Sequence, residues 1–177
     1  MSFENQSEKV SFPNVAAEIK KMIDADQEMR ERQLVEEDYW DDELDVENTT
    51  RMKEIVAEIG WPTVSKVGKQ IAHDAWLLVQ HSDHDVDFQE ECLALMKSAP
   101  ANEVEKKDIA FLEDRIRVNQ ERGQLYGTQF MQKDGEHIPQ PIEDERAVDA
   151  RRAEMGMGTL AERIDEMYKK YPFTPKD

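Results

Sequence analysis

Three of the four histidines, His73, His81 and His84, fall within twelve residues and stand beside Asp74, Gln80, Asp83 and Asp85. Imidazoles next to carboxylates are the equipment of proton transfer near neutral pH, because histidine changes charge there and a carboxylate fixes its tautomer. Spacing sharpens the point. Residues seven apart on an α-helix fall within about 20° of one another, so His73 and Gln80 share one column, and Asp74 and His81 the next. Between them Ala75–Val79 is apolar without a break, so the helix should be covered on most sides. A buried polar group without a partner costs roughly 1–3 kcal/mol. These groups therefore need either a satisfied internal network or a ligand, and both readings stand. A metal alternative uses His81 and His84 at i, i+3 with Asp85, Asp83 or His73 as the third donor. The helix is expected to end between the two histidines and no established zinc motif is present, so neither a metal nor a cofactor is expected.

A second group lies downstream. Arg115 flanks a core stripe, placing it to reach inward and pair with a carboxylate or anchor an anionic ligand; a solvated helix face is the ordinary alternative. In Tyr126-Gly-Thr-Gln-Phe130, Gly127 permits close backbone approach or positive φ. This segment is expected either to cover the histidine patch or to close the core as part of a hairpin. Arg146, Arg151 and Arg152 sit among acids, where surface ion pairs compete with an anion site. Cys92 shares an apolar stripe with Phe88, Leu95 and Met96 and reads as core rather than nucleophile.

The elements that must position these groups are helical. Val15 to about Leu44 is helix-compatible, with Val15, Ile19, Met22, Ile23, Met29 and Leu34 as apolar points, and the acidic run Glu36–Glu43 should weaken its end. Met52, Ile55, Val56 and Ile59 mark a second helix after a Thr49/Thr50 cap, stopped by Gly60-Trp-Pro62. The central helix spans about Val64 to Gln80, with Val64, Val67, Ile71, Ala75 and Leu78 inward. Asp83 or Asp85 caps a fourth, and a fifth covers about Val104–Glu121. Asp134-Gly135 reads as a hairpin turn, with Pro139 and Pro141 confining the second arm to an edge. Two helices follow, about Glu143–Met155 and Thr159–Lys169. The fold expected is all-α, with six to seven helices and one small β-hairpin near 125–142: an acidic helical arm over 1–48, a helical core over 49–170 with the hairpin inserted, and a tail over 171–177.

The 177 residues carry a formal charge of −17, a field that repels phosphates and anionic membrane, so neither nucleic acid nor membrane is an expected partner. A single cysteine forbids an intrachain disulfide and fits a reducing compartment. Met1–Gln6 shows neither a basic region nor an apolar run, so no signal peptide is expected, and a cytoplasmic location is.

Taken in order, Gly60-Trp-Pro62, Ala75-Trp-Leu-Leu-Val-Gln-His-Ser-Asp83, Leu112-Glu-Asp-Arg115, Tyr126-Gly-Thr-Gln-Phe130, Pro141-Ile-Glu-Asp144 and Val148–Gly156 resemble a bacterial family of unknown function. Its signature is GWP, QHxD, DR, YGTQF and PIED…VDxRR. The likeness spans about residues 50–165 and implies no activity. It singles out Gln80, His81, Asp83, Asp114, Arg115, Tyr126, Gln129, Asp149, Arg151 and Arg152, and leaves His73, His84 and His137 outside. The expectation is a pocket around His81, Arg115 and Gln129 that binds or processes a small polar or anionic ligand. His81 moves the proton, Asp83 or Asp114 orients it, and Arg115 with Gln129 holds the ligand beside Gln80, Tyr126, Arg151 and Arg152. Two alternatives stand: an acidic antitoxin-, immunity- or adaptor-like module that binds a basic protein, and a metal-dependent hydrolase.

Overall fold

In the computed structural model, residues 10–36 and 41–171 are described. Residues 1–9 of the expected arm, the Glu37–Trp40 part of the acidic run and positions 172–177 of the expected tail lie outside them. The architecture is mostly helical, with eight α-helices among the described residues and one two-stranded antiparallel hairpin. The chain divides into two compact units, Met1–Glu105 and Lys106–Asp177.

The first unit contains α1 (Pro13–Gln33), α2 (Asp42–Ile59), α3 (Val64–Val67), α4 (Lys69–Gln80) and α5 (Val86–Ser98). Helix α4 packs against the other four, and its Ala75, Leu78 and Val79 are buried with Ile19, Met52, Ile55, Cys92 and Met96 of α1, α2 and α5. Helix α1 opens with Pro13 in its first turn, where proline lacks only an N–H that would go unpaired anyway. Its stripe of Val15, Ile19, Ile23 and Met29 is buried, and a carboxylate, Asp26, lies on that stripe with no exposure.

Three expected boundaries shift in this unit. Helix α1 ends at Gln33, leaving Leu34 82% exposed instead of in the core. Helix α2 begins at Asp42, ahead of the expected Thr49/Thr50 cap, with Asp41 accepting from the Leu44 amide at 3.1 Å. Asp42, Glu43 and Asp45 occupy its first turn, the end where the helix dipole favours negative charge. Acids read as weakening one helix thus start the next, and Thr49 is buried inside it, donating to the Asp45 carbonyl at 2.8 Å. Finally, the central helix is two helices. Gly68, at φ +91°, interrupts the ladder between α3 and α4, a conformation that other residues rarely adopt.

The second unit contains α6 (Lys106–Asn119), β1 (Phe130–Lys133), β2 (Glu136–Pro139), a 3₁₀ turn (Glu145–Ala147), α7 (Val148–Glu154) and α8 (Leu160–Lys170). Strands β1 and β2 pair from Phe130–Pro139 to Lys133–Glu136 around Asp134-Gly135, as the sequence indicates. Ala110, Leu112, Ile116, Val148 and Met167 are buried in this unit. Gly156, at φ +71°, closes α7 in a Schellman turn: its own amide bonds the Ala153 carbonyl, and the Met157 amide that of Arg152. Thr159 and Glu162 form a capping box that opens α8. No helix among the described residues is long and apolar enough to cross a membrane.

Candidate functional site

His81 is the C-cap of α4, so its ring leaves the helix where the chain turns. In the first unit it meets α1. Both oxygens of Asp26 lie 3.0 Å from His81 Nδ1. Arg30, one turn on from Asp26, donates from Nε to the same carboxylate at 3.1 and 3.2 Å, and its Nη2 lies 2.9 Å from Asp45 of α2. Arg30 Nε is also 3.0 Å from His81 Nδ1. An unprotonated Nδ1 would aim its lone pair at two carboxylate oxygens, while Arg30 Nε already has those oxygens as acceptors. Nδ1 therefore carries the hydrogen and donates to Asp26, which leaves the lone pair of the neutral ring on Nε2. The His81 side chain keeps 18% of its surface exposed, against none for Asp26.

Burial pushes the Asp26 carboxyl up, but hydrogen bonds from His81 and Arg30 outweigh it and hold the group below the usual carboxylate value. At Asp45 burial wins over the attraction of Arg30 and raises the carboxyl. Two acids of unequal strength thus flank one guanidinium beside one imidazole. Behind them, the Ser82 hydroxyl donates to the Leu78 carbonyl at 3.1 Å and lies 2.8 Å from the buried Thr49 hydroxyl. Gln80 is 7% exposed, and its Oε1 has no hydrogen-bond partner among the described residues.

The neighbours flagged in the sequence take other roles. Asp83 is exposed and lies 3.4 Å from the Gln89 amide nitrogen; the group at Nδ1 is Asp26. His73 stacks on Trp76 with ring centres 4.8 Å apart, and Asp74 accepts from Gln70 at 2.9 Å. Asp85 caps α5 through the Phe88 amide and pairs with Lys53, while His84 is exposed. Among the described residues no three His, Cys, Asp or Glu side chains are grouped to hold a metal ion, so the His81–His84–Asp85 alternative has no geometric support. Cys92 is buried, and burial pushes its thiol far up, which suits a core residue.

In the second unit, Arg115 and Gln129 do meet, Nη1 to Oε1 at 3.2 Å. The other downstream polar groups engage the chain itself. Asp114, with no exposure, accepts from the amides of Leu125 at 2.6 Å, Tyr126 at 3.1 Å and Thr128 at 3.0 Å, and from the Thr128 hydroxyl at 2.9 Å. Arg151 donates to the Leu125, Glu143 and Asp144 carbonyls. Arg152 donates to those of Tyr126 and Gly158, each at 2.6 Å. Gln124, which sequence reasoning passed over, is fully buried. Its amide accepts from Gln129 N and donates to the Gln129 and Gln140 carbonyls, as a strand partner would. Gly127 sits at φ +65°, where an added Cβ would lie 2.7 Å from Leu160 Cδ1. The Tyr126–Phe130 segment is thus a backbone loop clamped by side chains. Tyr126 keeps a half-buried ring whose hydroxyl is shifted up by burial.

A helical chain of two units, with a buried Asp–His–Arg cluster in the first and a side-chain-clamped loop in the second, matches one family model. The chain belongs to the family of unknown function DUF6624, matched over residues 13–176. The match includes α1, and with it Asp26 and Arg30, whereas the motif resemblance starts near residue 50. No curated protein and no solved structure matches the chain.

Proposed function

We propose that the first unit carries a proton-transfer site at the C-terminal end of α4, with His81 Nε2 as general base or acid toward a small polar ligand. The observation that carries this reading is the Asp26 carboxylate, fully buried and 3.0 Å from Nδ1. That arrangement fixes one tautomer, points the lone pair of Nε2 away from the carboxylate, and stabilises the imidazolium formed when Nε2 takes a proton. Arg30 and Asp45 keep the carboxylate oriented. Hydrolysis or group transfer without a tightly held cofactor is the matching reaction class. The chemistry belongs in the cytoplasm, in keeping with a lone cysteine that is buried and unpaired.

The test is a panel of p-nitrophenyl esters and phosphates with the wild type, His81→Gln and Asp26→Asn. Turnover abolished in the first variant and cut about 10²–10⁴-fold in the second, the range of general acid–base catalysis, supports the reading. Turnover that survives His81→Gln contradicts it. A competing reading, an acidic module docking a basic protein, draws on the net charge of −17; it predicts partner binding that weakens steeply with salt and is indifferent to His81→Gln.

A further inference from the structure

The second unit holds a cavity of about 580 Å³, bounded by the start of α6, the α7–α8 turn and one face of α8. That is the size of sites that enclose small organic molecules. Its charge runs against that of the chain: Lys107, Arg152, Arg163 and Lys169 line it in a protein of net charge −17. Of the acids there, Glu162 is held at the Thr159 amide by the capping box and Glu166 lies 3.2 Å from Arg163 Nη1, leaving Asp165.

Two of these cations are incompletely satisfied among the described residues: Arg152 is buried without an ion pair, and Arg163, though paired with Glu166 through Nη1, keeps an unmatched Nε. Arg152 is 4% exposed, and its hydrogen bonds run to the neutral carbonyls of Tyr126 and Gly158; among the described residues it has no ion pair. Arg163 lies within 6 Å of two rings, 5.8 Å from Phe111 and 5.7 Å from Phe130, and its buried Nε finds no acceptor among the described residues. Ring faces attract a cation without neutralising it. A buried charge without a counter-ion is costly, and an anion in the adjoining cavity reduces that cost. The other walls are Phe111, Met157, Thr159 and the main chain of Gly156 and Gly158, with Phe111 and Met157 supplying the apolar contact.

We propose that this cavity binds a small organic anion, a phosphate or carboxylate attached to a flat apolar body. The acidic group faces Arg152 and Arg163, with Lys107 and Lys169 at the rim, and the body lies against Phe111 and Met157. The lining lies wholly in the second unit, and the proposal does not rest on the proton-transfer reading.

Phenyl phosphate and benzoate are the probes, titrated into the full chain and followed by amide NMR. Phenol and inorganic phosphate supply each half alone. Saturable shifts at Gly156, Met157, Gly158 and Thr159 are expected, with phenol and inorganic phosphate each at least tenfold weaker than the better of the two joined probes. The double variant Lys107→Gln/Lys169→Gln removes rim charge from exposed positions and leaves the core intact; it should weaken binding about tenfold, the scale of two partly screened charges. His81→Gln should leave the affinity unchanged. Absence of shifts at the α7–α8 turn, phenol binding as tightly as phenyl phosphate, or an affinity unaltered in the double variant each overturns the proposal.

Discussion

Asp114→Asn isolates the clamp on the Tyr126–Phe130 loop. In the wild type, Oδ1 accepts from the Leu125 and Tyr126 amides, and Oδ2 from the Thr128 amide at 3.0 Å and its hydroxyl at 2.9 Å. Asparagine keeps one acceptor oxygen and replaces the other with a donor. With the oxygen kept toward Leu125 and Tyr126, the new NH₂ faces the Thr128 N–H, and a buried donor loses its partner, a loss of about 1–3 kcal/mol. Charge-assisted bonds at the remaining oxygen become ordinary ones, about 1 kcal/mol more. An offset works the other way. Burial raises the Asp114 carboxyl despite three backbone N–H donors, so the charged form is itself held at some cost that asparagine removes. The net expectation is a loss of about 2–3 kcal/mol at pH 7, or roughly 4–12 °C in Tm for a chain of this size. Urea unfolding at constant slope, with amide exchange at Leu125, Tyr126 and Thr128, measures both the size and the place. A variant within about 0.5 kcal/mol of the wild type, the range of a plain surface change, with those amides still protected, refutes the clamp.

Two further expectations follow from the same geometry. Gly127→Ala forces a Cβ into Leu160 at a positive φ of 65° and should lose about 2–4 kcal/mol, the sum of a left-handed penalty and overpacking; unchanged thermal unfolding would mean that the turn repacks freely. Asp26→Asn should destabilise most at neutral pH. The folded carboxyl of Asp26 is held below its usual 3.8, so its stabilisation is present above that value and is lost as pH falls through the lower folded one. The gap between variant and wild type must close in acid; a gap constant from neutral pH to strong acid contradicts the ion-pair geometry.

Local signals carried much of the fold. The Asp134-Gly135 turn, the Asp85 cap of α5 and the start of α8 after Thr159 are each written in two or three adjacent residues, and the structure follows them. What failed were places where two local rules compete. The stripe Val64–Val67–Ile71 keeps helical phase straight through Gly68 and hides the break there. The acids at 42–45 repel one another, yet at a helix start the dipole wins. The candidate site was legible on one side only. His81 stands out beside Asp83, but its partner Asp26 is 55 residues away, and only a carboxylate placed in phase with Ile19, Ile23 and Met29 hinted that α1 buries a charge. Downstream, the polar residues in the motifs were visible; that Asp114, Arg151 and Arg152 grip backbone groups depends on loop conformation, which side-chain spacing does not encode.

The state of the His81 ring decides the proton-transfer reading. Nitrogen-15 NMR of the neutral imidazole in alkaline solution distinguishes the two tautomers directly. The Asp26 geometry predicts hydrogen on Nδ1, protected from exchange and lost from that position in Asp26→Ala, with Nε2 unprotonated. Hydrogen on Nε2, with Nδ1 accepting from Arg30, would contradict it and leave His81 a structural ligand of the guanidinium.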